Sequence, residues 1–370
     1  MHGTFDVGGD LRPSTRRDNG TGAVRRHLRR RRLTLNSVAL CAAAALLLAG
    51  CGSDENGAEA GPASGSWSDI VAAAEKEGKV TVYSGQGTKQ LQDLAAKFQQ
   101  KYPKIKVEIV RGVETDFIPK LEAEARTGKG IADIAAITDR AWMSANKDNF
   151  EAPRGEAFNA PEYSKAENLL EDAYFVIDAA VLTFAWNTAG FSGKLNDYPD
   201  VINPELADGK IGIPPADGAS RVDFYQYLEE NYGEDFVEKL AAQRPSVYPS
   251  ALPMAQALSS GEIAAALQVE PQVDEKEAGA PVEWGLADPA WGARFHGAIL
   301  KSGPHPNAAQ VLADFMVTRE GQTAIARKAA SVLPDIPGAV AETKDVRKQA
   351  NLSADEVREY QAKWNELFQR

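Results

Sequence analysis

What most constrains this chain is an alternation, begun at Lys79 and kept up for most of its length, between short apolar β-type runs and segments with helical spacing. Lys79-Val80-Thr81-Val82-Tyr83 is followed by the turn-rich Ser84-Gly85-Gln86-Gly87-Thr88, then by Leu91, Leu94, Ala95, Phe98 and Tyr102 on one helical face. Ile105 to Val110 alternates as a strand, and Phe117, Leu121 and Ala125 continue as a helix. Ala132 to Ile137 is a further buried strand ahead of Thr138-Asp139-Arg140. Repeated β-α units imply a mainly parallel sheet with helices on both faces. Ligands of such sheets bind at the carboxyl ends of the strands. The segments Ser84 to Thr88, Gly112 to Asp116 (with Thr115) and Thr138 to Trp142 are therefore predicted to converge on one cleft.

The second half keeps this grammar without repeating the sequence. Val176 to Phe184, inside the β-rich stretch Tyr174 to Asn187, is longer than an ordinary strand and is long enough to cross between two lobes. Lys210 to Ile213 reads as a strand, Ala216-Asp217-Gly218-Ala219-Ser220 as a turn before a helix through Phe224, Tyr227 and Leu228, and Ala264 to Val269 as a buried strand. Arg294 to Leu300 returns as a strand and leads through Pro304-His305-Pro306 into a helix carrying Val311, Leu312, Phe315 and Met316. A last amphipathic helix places Val357, Tyr360, Trp364 and Leu367 on one face and is expected to pack on the body.

Charge is divided unevenly. The whole chain carries a formal −11, yet residues 1 to 50 hold 9 Arg, no Lys and 3 Asp, so the remainder stands at −17. An acidic body excludes a duplex nucleic-acid partner, because phosphate neutralisation needs a basic face. Arg25, Arg26 and Arg29 to Arg32 precede an uncharged run from Leu33 to Gly50, the layout of a secretory signal over residues 1–50. Its apolar part is short for a spanning helix. Leu48-Ala49-Gly50-Cys51 resembles the lipobox of bacterial lipoproteins, which implies cleavage before Cys51 and lipid attachment to its thiol. The protein is then expected outside the cytoplasmic membrane, tethered through the Gly-rich stretch 51–67. Arg31-Arg32-Leu33-Thr34-Leu35 leaves the twin-arginine route open beside the general one, and residues 1 to 24 exceed what a signal needs. Cys41 departs with the signal, so the mature body has no free thiol for a disulfide, a thiolate metal site or a Cys nucleophile.

The ordered landmarks Val82-Tyr83-Ser84-Gly85-Gln86, Ala132-Asp133-Ile134, Trp186-Asn187-Thr188, Val247-Tyr248-Pro249-Ser250, Ser260-Gly261-Glu262 and Lys301 to Ala309 carry a resemblance over about Val80 to Pro334. The chain resembles type II periplasmic-type solute-binding proteins of ABC importers, nearest the ferric-iron-binding group. The resemblance implies two α/β lobes joined by two β crossovers: 68–178 with 285–332, and 179–284 with 333–370. It also implies an ABC permease and ATPase as partners, and a chain that works as a monomer. Ferric members use adjacent tyrosines after the strand matching Ala264 to Val269 and a histidine after the first loop's Gln. Here Val269-Glu270-Pro271 and Gly87 stand at those places, and only the acid after the third strand, Asp139, has a counterpart. Ferric iron as transported cargo would have to draw on Asp139, Glu270, Tyr225 and Tyr248. Asp139 has a second reading as the cap of a helix beginning near Trp142.

The residues favour a small polar or anionic solute with no cofactor. Ser84, Gly85, Gln86, Gly87 and Thr88 lie where a strand feeds a helix N-terminus, and Asp217 to Arg221 repeats that arrangement in the other lobe. Arg221 is suited to grip a carboxylate or phosphate beside Ser220. Arg140, Trp186, Tyr248 and Glu270 complete the expected contact set, with Trp142 and Tyr225 as further candidate walls. An enzyme is disfavoured: His296 and His305 sit in no HExxH or GxSxG pattern and read as structural, and neither a Walker loop nor GxGxxG is present. Paired-carboxylate hydrolysis and solute sensing without import remain the alternatives from other classes. The mechanism expected is capture by domain closure.

Overall fold

The computed structural model describes residues 64–369; the expected signal, Cys51 and the expected tether up to residue 63 lie outside them. The body opens one residue earlier than expected. Helix α1 (Trp67–Glu77) starts from Ser66, whose hydroxyl and Asp69 form a reciprocal capping box, so Trp67 belongs to the helix and not to the tether. Strand β1 (Lys79–Ser84) is buried on both faces from Val80 onward. It runs parallel to β2 (Lys106–Arg111) on one side and to β3 (Ile134–Ile137) on the other. Helices α2 (Thr88–Lys101), with Leu91, Leu94, Ala95 and Phe98 inward, and α3 (Glu114–Thr127) link them. The order is that of the β-α grammar in the sequence.

Beyond β3 the sheet continues through the strands Trp291–Leu300 and Tyr174–Asn187 into Ala265–Val269, Ile211–Ile213 and Ser246–Val247. Tyr174–Asn187 is the crossing strand. It pairs antiparallel with Trp291–Leu300 from Phe175 to Leu182, and with Ala265–Val269 from Thr183 to Trp186. A bulge at the handover leaves Gln268 at φ 63. Trp291–Leu300 carries the chain back and pairs with β3. Each lobe has its own core. Phe98, Phe175, Val311, Phe315 and Ile325 lie in the first; Tyr198, Phe224, Tyr227, Trp291 and Trp364 lie in the second. Leu333 and Ile336 pack in the first core, so the passage to the second lobe comes after them rather than at residue 333. The segment from Thr343 to Leu352 makes that passage and leads to the final helix (Ala354–Phe368). That helix packs inward through Trp364, stacked on Phe368 at 4.7 Å, as its amphipathic pattern predicts.

Buried polar groups fasten the first lobe. The Asp133 carboxylate, fully buried, accepts from the amides of Thr81 (2.7 Å) and His305 (2.8 Å) and faces His305 Nδ1 at 3.0 Å. Burial raises the Asp133 pKa against the opposing pull of these bonds. Glu77 in turn accepts from the amides of Asn307 and Ala308 at the start of the helix Pro306–Met316. His305 is thus structural, as its sequence context implies. Among the described residues no helix is long and apolar enough to cross a membrane.

Candidate functional site

A cavity of about 700 Å³ opens where the two lobes meet. The first lobe contributes Glu114 and Thr115 at the start of α3, Thr138 to Ala141 after β3, and Glu167. The second contributes Ala219, Ser220 and Asp223 from the first turns of the helix Ala219–Tyr232. Arg294 and His296 of the returning strand form part of its wall, and Lys348 to Leu352 of the final passage close one side. Thr115, Asp139, Arg140 and Ser220 are therefore brought together as the strand-end argument expects.

The carboxylates around this cavity are held by local partners. Glu114 accepts from the Thr138 amide, and burial raises its pKa. Asp139 caps helix α4 (Arg140–Ala145) by accepting from the Trp142 amide at 2.9 Å, which is the capping role foreseen for it. Glu167 lies 3.4 Å from Lys348. Asp223, 1% exposed, accepts from Arg347 at 2.6 Å, Trp291 Nε1 at 2.9 Å and the Ala350 amide at 2.8 Å.

The cations differ. Arg294 donates to the carbonyls of Arg347, Thr343 and Val346, and pairs with no carboxylate among the described residues. Burial lowers its pKa, the Glu167 carboxylate opposes that shift, and the nearby Arg140 charge adds to it. Arg140 reaches the Tyr174 hydroxyl and likewise lacks a carboxylate partner among the described residues. Two guanidiniums thus face a common cavity without being bonded to a carboxylate among the described residues, with Glu167 of the same lining as an opposing charge acting on Arg294. A carboxylate or phosphate suits that arrangement.

The first loop is placed differently. Ser84 is fully buried; its hydroxyl donates to Gln86 Oε1 at 3.0 Å and accepts from the Gln86 amide at 3.1 Å. Gln86 Nε2 donates to Asp178 of the crossing strand at 2.8 Å, and the Gln86 carbonyl accepts from Arg111 Nε at 2.8 Å. Gly87 N–H donates to Gln90 Oε1, and Gly85 lies against Gly112 and Phe295. The Ser84 and Gln86 side chains point into the protein, Thr88 is exposed, and none of Ser84, Gly85, Gln86, Gly87 and Thr88 lines the cavity.

Four other expected contacts also lie off it. Trp186 is buried in the second core, on a strand paired on both sides, through Glu283 and Ala265. Arg221 bonds both Asp217 carboxylate oxygens at 2.8 Å and the Pro249 carbonyl at 2.9 Å. Tyr248 donates to Glu262 at 2.9 Å, and Glu270 is exposed outside the lining. Tyr225, named in the iron set, is wholly buried, with its hydroxyl donating to the Pro214 carbonyl. Of the four residues named for ferric iron only Asp139 lines the cavity. Among the described residues no group of three or more His, Cys, Asp or Glu side chains is placed to hold a metal ion.

Arg294, His296 and Lys348 to Leu352 are among the lining residues that the sequence pattern did not mark, with Glu167, Leu170 and Asp223. An arginine and a histidine two positions apart inside an apolar strand were the available signal.

Iron-bound HitA from Pseudomonas aeruginosa superposes with a TM-score of 0.61 at 19% identity, over 78% of this chain and 99% of that one. The substrate-binding protein of an ABC transporter from Agrobacterium tumefaciens gives 0.64 at 16%, over 80% and 97%. AfuA from Actinobacillus pleuropneumoniae, with fructose-6-phosphate bound, gives 0.57 at 20%, over 79% and 99%. At these identities the likeness establishes the two-lobed fold. No curated protein matches the chain. The family model described as "Bacterial extracellular solute-binding protein" matches residues 80–328, and the chain belongs to that family.

Proposed function

We propose that this protein captures a small anionic solute between its lobes and hands it to the permease and ATPase of an ABC importer. The observation that carries the reading is the pair Arg140 and Arg294, two guanidiniums that share a cavity and lack carboxylate partners among the described residues. An ion that neutralises both gains more from the closed cleft than from the open one. That differential affinity shifts the population toward closure. No covalent bond changes in this cycle, and the solute is taken free of metal. Thr115, Asp139, Arg140 and Ser220 belong to the contact set; Arg294 and His296 join it.

In this reading the first lobe comprises 67–178 with the returning strand and the chain on to 336. The second comprises 179–284 with the chain beyond the final passage, and the returning strand starts from Trp291 in the second core. The protein acts as a monomer at the outer face of the cytoplasmic membrane, held by lipid on Cys51. Iron-bound HitA and fructose-6-phosphate-bound AfuA share the fold with different cargo, so the ligand class rests on this chain's own side chains. A thermal-shift screen over anionic, neutral and cationic solutes tests it. Anions are expected to raise the melting temperature of the wild type and to do so much less in Arg140→Ala. Stabilisation by cations or neutral solutes alone would count against the reading.

A further inference from the structure

His296 is 3% exposed, lines the cavity, and has a ring environment that fixes what it offers. Its Nδ1 lies 3.3 Å from the Ile137 carbonyl. A carbonyl only accepts, so Nδ1 carries the proton and Nε2 is left with its lone pair. Nε2 has no hydrogen-bond partner among the described residues and is not among the fully enclosed polar atoms that lack one. Tyr174 packs edge-on against the ring at 5.8 Å and holds its plane. Burial, with the charges of Arg140 and Arg294 adding to it, pulls the imidazole down to about 4, so it is neutral across the physiological range.

A neutral acceptor sharing a cavity with two guanidiniums is an unusual wall for an anion. A fully deprotonated oxyanion set against Nε2 meets lone pair with lone pair. An oxyanion carrying its own hydroxyl can present charge to the arginines and a donor to the imidazole at once. Hydrogen phosphate and 2-hydroxy acids have that form; sulfate and plain carboxylates do not. Resting on the anion-binding reading above, we infer that His296 makes the cleft selective for small oxyanions that carry a hydroxyl beside their charge. The penalty for the wrong partner is that of leaving a buried polar group unpaired.

The experiment is isothermal titration of the exported protein with two pairs of probes, inorganic phosphate against sulfate and glycolate against acetate, at fixed ionic strength and neutral pH. The wild type is expected to favour the hydroxylated member of at least one pair by about ten-fold or more. The pair that shows it separates a phosphate source from a hydroxy-acid source. His296→Leu is expected to abolish the preference and His296→Gln, whose amide oxygen can accept, to recover part of it; His296→Met serves should the leucine variant not fold. Equal binding within both pairs, or a preference that survives in the apolar variants, would overturn the role of His296 and leave the anion site standing. Failure of all four probes beside binding of neutral or cationic solutes would overturn both.

Discussion

The loop after β1 and the loop after β3 hold equivalent places in one parallel sheet, and both were expected to face solute. Ser84 and Gln86 of the first turn inward, onto each other and onto Asp178. Thr138 and Arg140 of the second open onto the cavity, joined there by Arg294. Position at a strand end brings a polar side chain near a cleft. Whether it reaches the ligand depends on whether a buried partner already claims it. A buried acid such as Asp178 needs donors, and the first loop supplies them.

If that contrast is right, damage to the first loop should appear as lost stability and damage to the second as lost affinity. Gln86→Ala removes the side-chain donor to Asp178 and is expected to cost about 3 kcal/mol in urea unfolding, with solute affinity of the folded protein unchanged. A large loss of affinity at full stability would break the comparison.

The second test uses pH. Burial raises the Asp178 carboxyl to about 7, with the Gln86 bond opposing it, so the folded state holds a proton that the unfolded chain releases at lower pH. Stability from this group is full below the unfolded value and declines as pH rises through the folded one. Between about pH 5 and pH 8 the wild type should lose roughly 2 kcal/mol that Asp178→Asn does not. Parallel pH curves for the two proteins would show that Asp178 does not titrate as described.

Arg140→Ala sharpens the other side. It is expected to weaken anion binding by about ten-fold, near 1.4 kcal/mol, with unfolding free energy unchanged. Arg221→Ala should do least, within about two-fold in affinity and about 0.5 kcal/mol in stability, because its guanidinium is already held by Asp217 and the Pro249 carbonyl. A strong effect of Arg221 in titration calorimetry would return it to the site.

The elements were legible because each depends on local periodicity. Val80, Val82 and the crossing stretch from Val176 read as strands on their own residues, as do the inward faces of α2 and the final helix. The contact set was legible only in part. Ser84 and Trp186 are of residue types that suit a binding site and equally suit a buried network or a core, and only the tertiary partner decides between those uses. Lys348 to Leu352 could not be found from spacing, since their place beside the cavity follows from where the chain passes back to the second lobe. Arg294 and His296 stood in plain view. A charged and a titratable residue within an apolar strand must be buried with some compensation, and here that compensation is three carbonyls for the arginine and one for the histidine.

The most direct test of the account is native mass spectrometry of the exported protein, purified without chelator or added ligand, beside its Arg140→Ala variant. The account predicts that the wild type retains a small metal-free anion and that the variant loses it. A retained ferric ion, or a neutral or cationic compound held equally by both proteins, would contradict the claim that the two arginines receive the solute.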